Sequence, residues 1–138
     1  MIEWLFRQVG GLGRMAGQNH HFGVYELEKI RYAINRYVNE TNRLYGVMDR
    51  RLAGRPFLAG DEYSIADMAS YPWVVPWKRQ QQNLDDFVNL RRWFNSIRNR
   101  PATQRAYAKG EPFSAQPAVT EEGKKLLFGQ TAASVGRA

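Results

Sequence analysis

The chain has 138 residues, of which 43% are hydrophobic and 13% aromatic, enough for one domain with a real core and too few for two ordinary ones. The absence of cysteine excludes disulfides, thiolate metal sites, thiol nucleophiles and Cys-x-x-Cys redox chemistry. A formal charge of +7 asks for an anionic partner, yet the 20 basic residues are mixed with 13 acids along the whole chain, a pattern that argues against nucleic acid.

Trp4, Leu5, Phe6 and Val9 open an apolar, helical-looking start that runs into Gly10-Gly-Leu-Gly13, where the segment is expected to loosen. Glu3 and Arg7 spoil any signal-peptide pattern there, so a cytoplasmic location is expected. From Ile30, the positions Ile34, Tyr37, Thr41, Leu44, Met48 and Leu52 recur at spacings of four and three, which predicts a long amphipathic helix over residues 26–53. Gly54-Arg-Pro56 ends it. The stretch Ile65 to Trp77 is apolar around its circumference and predicts a buried central helix, bent by Pro72 and Pro76, whose freed carbonyls need other partners. It is too short to span a bilayer. A polar loop over residues 80–86 precedes Phe87, Leu90, Trp93, Phe94 and Ile97, again at helical spacing, and Pro101 is placed to begin a short helix through Ala108. Beyond it, one helix is expected from Thr120 to Phe128 in an otherwise partly irregular extension, which gives a helical domain over 1–108 and an extension over 109–138. No segment reads as a strand, and the fold class is all-α.

Three clusters invite chemistry. Gly11-x-Gly13-x-x-Ala16 satisfies the loose dinucleotide fingerprint, but it lacks the preceding strand that the motif needs. Gln18-Asn-His-His21 is densely polar. Adjacent residues on a helix point about 100° apart, so the two histidines do not readily share a metal, and buried structural hydrogen bonding competes with a site role. Arg36 lies on the flank of the long helix beside Asn39, Glu40 and Arg43. It is either half of an i,i+4 pair with Glu40 on a solvated face or a guanidinium placed to grip a carboxylate.

The run Phe57-Leu-Ala-Gly-Asp-Glu-Tyr-Ser-Ile-Ala-Asp67 contains a capping box. Ser64 is the N-cap, and Asp67 reaches back to the Ser64 N–H while placing negative charge at the positive end of the helix dipole. This box, opening an apolar helix behind Phe57-Leu-Ala-Gly60, resembles the signature of the C-terminal all-helical domain of glutathione transferases. Trp4-Leu-Phe-Arg-Gln-Val-Gly-Gly-Leu-Gly13, Met15-Ala-Gly-Gln-Asn-His-His-Phe22, Tyr32-Ala-Ile-Asn-Arg-Tyr37 and Glu40-Thr-Asn-Arg-Leu-Tyr45 narrow the likeness to the Nu-class bacterial enzymes, which are glutathione-dependent disulfide-bond reductases.

The resemblance implies a glutathione-transferase-like bundle in which the long helix packs on the central one, lining the electrophile side of a cleft and much of a homodimer interface. Glutathione would be the co-substrate, held mostly by a thioredoxin-like N-terminal domain that this chain does not carry, since Met1 falls where the family's first long helix is already under way. Arg36 matches the arginine that reaches the partner subunit's glutathione. Gln18, Asn19 and His20 would line the cleft. No metal and no catalytic residue is assigned to this chain, and no membrane or nucleic-acid partner is expected. The rival reading is a non-catalytic module of the same fold serving assembly, which has no need of Gly17-Gln-Asn-His-His-Phe22 or of Arg36.

Overall fold

The computed structural model describes residues 1–114 and 119–134, and all regular structure among them is helical. The chain divides into two compact units, Met1–Arg100 and Pro101–Ala138.

The first unit begins with a rod that does not loosen at its glycines. Helix α1 (Ile2–Arg7) passes through a π-helical turn at Gln8–Leu12 into α2 (Gly13–His20), and a second π turn follows at His21–Tyr25. The wider turns are visible in the bonds from the Gly13 N–H to the Gln8 carbonyl and from the Glu26 N–H to the His21 carbonyl, each five residues apart. Tertiary packing explains why glycine serves here. A methyl at Gly13 would stand 3.2 Å from the Gln8 carbonyl oxygen and 3.3 Å from the Trp73 ring, and one at Gly17 would meet Trp73 at 3.7 Å. The glycines let the rod approach the indole.

Helix α3 spans Arg31–Leu52, starting later than the apolar spacing predicts because Glu26 is already extended and Ile30 remains so. Thr41, Leu44, Tyr45, Met48 and Leu52 are buried, whereas Ile30 is exposed and Ile34 and Tyr37 only half-buried. The stripe therefore continues beyond the core that covers it. Gly54, at φ +69°, takes the left-handed backbone that turns the chain away from the helix end.

Helix α4 (Ile65–Val74) buries Ala66, Asp67, Ser70, Tyr71 and Val74. It is not covered on every side: Ile65, Met68, Pro72 and Val75 form an exposed stripe at helical spacing. The helix stops three residues short of Trp77, because Pro76 has no N–H to continue the ladder and the Trp77 N–H turns to the Val74 carbonyl at 3.0 Å. The Trp73 carbonyl, left over by that turn, accepts from the Gln80 amide at 2.8 Å, the kind of substitute partner that a proline-broken helix requires.

Helix α5 (Val88–Arg98) turns Leu90, Trp93, Phe94 and Ile97 inward, and Tyr71 stacks on Phe94 with ring centroids 5.2 Å apart. α3 lies against α2 and α5, and it reaches α4 through side chains such as Tyr45, whose hydroxyl lies 3.5 Å from the Trp73 carbonyl. α3 and α5 cap each other. Asp49 accepts from the Asn89 and Leu90 N–H groups at 2.7 and 2.9 Å, and Arg92 donates to the Leu52 and Arg55 carbonyls at 2.7 Å each.

In the second unit α6 runs from Pro101 past Ala108 to Ser114, and α7 spans Glu121–Phe128 with Thr120 as its cap, accepting from the Gly123 N–H at 3.0 Å. Residues 115–118 and 135–138 of the expected irregular extension lie outside the described residues.

Candidate functional site

The α1 rod and α3 enclose an open hollow of about 540 Å³ whose walls carry three guanidinium groups, Arg7, Arg36 and Arg43, and two carboxylates, Glu3 and Glu40. Gly10 and Gly11 help shape one wall, where the lack of side chains keeps the hollow open. The three arginines are held differently. Arg43 makes a two-pronged pair with Glu40, Nε to Oε2 at 2.8 Å and Nη2 to Oε1 at 2.7 Å. Arg7 lies over the Trp4 ring, 5.4 Å from its centroid, with its Nη2 buried and without a hydrogen-bond partner. Burial, and then the charge of Arg43, push the Arg7 guanidinium down from its ordinary value. Arg36 is the most loosely engaged: its Nη1 is 3.7 Å from Glu40 Oε2, in an i,i+4 ion pair.

The cluster on α2 separates. Gln18 points to solvent. Asn19 is 1% exposed and does not line a cleft: its amide donates to Thr41 Oγ1 and the Gln80 carbonyl at 3.1 Å each and to the Tyr37 carbonyl at 3.4 Å. It clips α2 to α3 and to the turn after α4. His20 is half-buried and meets the Tyr25 ring edge-on at 4.9 Å, while burial, and then Arg79, push its pKa below the ordinary value. His21 stands 4.0 Å from Glu26. None of Gln18, Asn19 and His20 lines the hollow that holds Arg36. Among the described residues no group of three or more His, Asp or Glu could hold a metal ion, and no helix is long and apolar enough to cross a membrane.

Asp67 is fully buried and does more than cap. Its Oδ2 accepts from the Ser64 N–H and hydroxyl at 3.0 Å each, and Ser64 Oγ accepts from the Ala66 N–H at 3.3 Å. Its Oδ1 accepts from the Leu58 N–H at 2.9 Å and from the Trp93 indole at 2.8 Å. One carboxylate thus ties the 57–60 crossing, α4 and α5 together. The indole is the signal that could have revealed this, because a buried Trp N–H demands an acceptor.

A second polar knot surrounds Gln80, which is 1% exposed: its Oε1 accepts from the Tyr45 hydroxyl at 2.6 Å. Gln82 donates to the Val38 and Gln80 carbonyls at 3.1 and 2.9 Å and accepts from Asn42 at 3.0 Å. Nothing local in the sequence marks these glutamines as interior.

Comparison with known proteins adds to this geometry. Residues 26–101, more than half of the chain, match the glutathione S-transferase C-terminal domain. Disulfide-bond oxidoreductase YfcG of Escherichia coli K12 is 50% identical over 110 residues, which are 80% of this chain and 51% of that protein. Disulfide-bond oxidoreductase YghU of the same organism is 38% identical over 111 residues, 75% of this chain and 38% of that protein. A glutathione transferase from Pseudomonas putida, solved with one glutathione disulfide bound per subunit, superposes with a TM-score of 0.70 at 38% identity, covering 75% of this chain and 48% of its own. The chain spans about half or less of the length of these relatives.

Proposed function

Since the chain belongs to the glutathione S-transferase C-terminal domain family, we propose that it serves as the helical part of a cytoplasmic, glutathione-dependent disulfide-bond reductase that works as a homodimer with a thioredoxin-like domain holding most of the glutathione. The chemistry then belongs to glutathione and not to the chain, in keeping with its lack of cysteine. The bound glutathione thiolate attacks a sulfur of the disulfide substrate, one thiolate leaves and takes up a proton, and a second glutathione thiolate resolves the mixed disulfide to give glutathione disulfide and a second thiol. This chain's part is to wall the cleft and to supply Arg36 to a glutathione carboxylate.

The observation that carries this role is the difference among the three arginines: Arg43 is held on both prongs by Glu40, Arg7 is laid over Trp4, and Arg36 keeps only a contact no closer than 3.7 Å to Glu40. Arg36 has the donor capacity that a bidentate carboxylate needs. The test is to fuse a Nu-class thioredoxin-like domain ahead of the chain and to measure glutathione binding and disulfide reduction. Restoring the missing contacts, about 4 kcal/mol of binding, should tighten glutathione nearly a thousandfold over the 138-residue chain. Arg36→Ala in the fusion should weaken it about tenfold, the scale of a charge-assisted bond to an exposed group. Micromolar binding by the unfused chain, or a fusion indifferent to Arg36, would overturn the assignment. A folded fusion that neither binds glutathione nor reduces disulfides would favour an assembly module.

A further inference from the structure

Glu40 lies on α3 between two arginines and does not divide itself evenly. Arg43, three residues later, occupies both carboxylate oxygens, while Arg36, four residues earlier, stays 3.7 Å away. Helix chemistry accounts for the choice. An acid N-terminal to its basic partner is the favourable order on a helix, because the pair then runs with the helix dipole, and Arg36 stands on the wrong side of Glu40 for that benefit. Arg43 also binds with two parallel N–H donors, whereas Arg36 offers one distant nitrogen. The Glu40 side chain is only 15% exposed, so its carboxylate sits at the wall of the hollow and not out in solvent.

We propose that Arg43 is a positioning residue for carboxylate binding: by engaging both Glu40 oxygens at 2.7 and 2.8 Å it leaves Arg36 only the looser i,i+4 contact at 3.7 Å, and so keeps the Arg36 guanidinium available to the hollow. The inference rests on the reading of Arg36 as a carboxylate contact. It also makes Glu40 a competitor of the ligand, with Arg43 as the counterweight that keeps the competitor occupied. The charged groups facing Glu40 are Arg36 and Arg43 on its own helix and Arg7 and Glu3 from α1 across the hollow.

The two halves of the clamp should therefore act with opposite sign. If the Glu40–Arg43 pair merely stiffened α3, breaking it from either side would harm binding alike. If Arg43 restrains a competitor, Arg43→Ala weakens binding by about twofold, the scale of one exposed helix ion pair gained by Arg36. Glu40→Gln does not weaken binding, and Glu40→Gln combined with Arg43→Ala recovers what Arg43→Ala lost. Reduced glutathione is the probe, titrated into the 138-residue chain and followed by NMR at the arginine Nε–H signals. Equal losses in both single variants, or no loss in Arg43→Ala, would overturn the proposal.

A second measurement needs no glutathione. The Glu40 carboxyl is held below the usual carboxylate range, first by the Arg43 hydrogen bond. Its titration, read by carbon NMR, should rise on Arg36→Ala in the wild-type background, where Arg36 is a lesser cause than Arg43, and should rise clearly more on Arg36→Ala in the Arg43→Ala background, where Arg36 has taken over the acid. An equal response in the two backgrounds would refute the competition. Should Arg36→Ala leave glutathione binding unchanged while this titration behaves as stated, the functional reading fails and the clamp stands.

Discussion

Asp67→Ala should cost far more than an N-cap substitution usually does. The cap itself is worth about 1 kcal/mol, and Ser64→Ala, which leaves Asp67 in place, should lose only that. Asp67→Ala also strands the Leu58 N–H and the Trp93 indole, both on residues with no exposed surface. Each buried donor left without an acceptor costs about 1–3 kcal/mol, which brings the expected loss to about 3–7 kcal/mol. Against a total stability of about 5–15 kcal/mol, that is a large share of what a domain of this size has. Asp67→Asn should fall between the two variants, since it keeps the shape but offers one acceptor where the carboxylate offers two. Urea unfolding followed by tryptophan fluorescence measures all three. A double cycle with Trp93→Phe should return a coupling of about 1 kcal/mol or more, as expected for residues joined by a buried bond. An Asp67→Ala loss no greater than that of Ser64→Ala, at an unchanged denaturant slope, would refute the hub.

Gly13→Ala should destabilise by about 1–2 kcal/mol, because the new methyl meets helix backbone and the Trp73 ring within 3.3 Å, whereas Gly17→Ala has ordinary contacts and should gain about 0.5–1 kcal/mol; paired thermal melts decide. His20 has a folded-state pKa below its ordinary value of 6.5, so as pH falls through that value the unfolded chain takes the proton first and stability drops, levelling off below the folded pKa. His20→Gln should flatten that part of the pH–stability profile, measured by urea midpoints from neutral to mildly acidic solution. Ile2, Phe6 and Val9, 65%, 70% and 60% exposed, together with Ile65 and Met68 on α4, should make the 138-residue chain bind hydrophobic dye or self-associate; a clean monomer by sedimentation, with no dye binding, would contradict this.

The features legible in the chain are those that one element decides for itself. The stripe from Thr41 to Leu52, the inward face of α5 and the Ser64–Asp67 box arise from spacing and local chemistry alone. The rest depends on neighbours brought from elsewhere. Gly10 to Gly13 look like a break until Trp73 is known to lie against Gly13, and Asn19 looks like a cleft residue until Thr41 and the Gln80 carbonyl are placed beside it. Gln80 and Gln82 look like loop surface, but the break of α4 at Pro76 releases a carbonyl that Gln80 must satisfy. That Glu40 pairs more tightly with Arg43 than with Arg36 could have been foreseen, because the order of acid and base along a helix favours it.

The first π turn gives the N-terminal rod a property that side chains alone would not. It accommodates about one residue more than a regular turn, so it rotates α1 by roughly 100° relative to α2. The inward aim of Trp4, and with it the seat of Arg7 over that ring, is thus keyed to the aim of Gly13 and Asn19 through the count of residues in Gln8–Leu12. Removing one residue there would let the backbone relax into an unbroken α-helix with every hydrogen bond intact, and would swing Trp4 out of the core. The rod would keep its helicity and lose its phase, a fault invisible to a measure of helix content and plain in the packing.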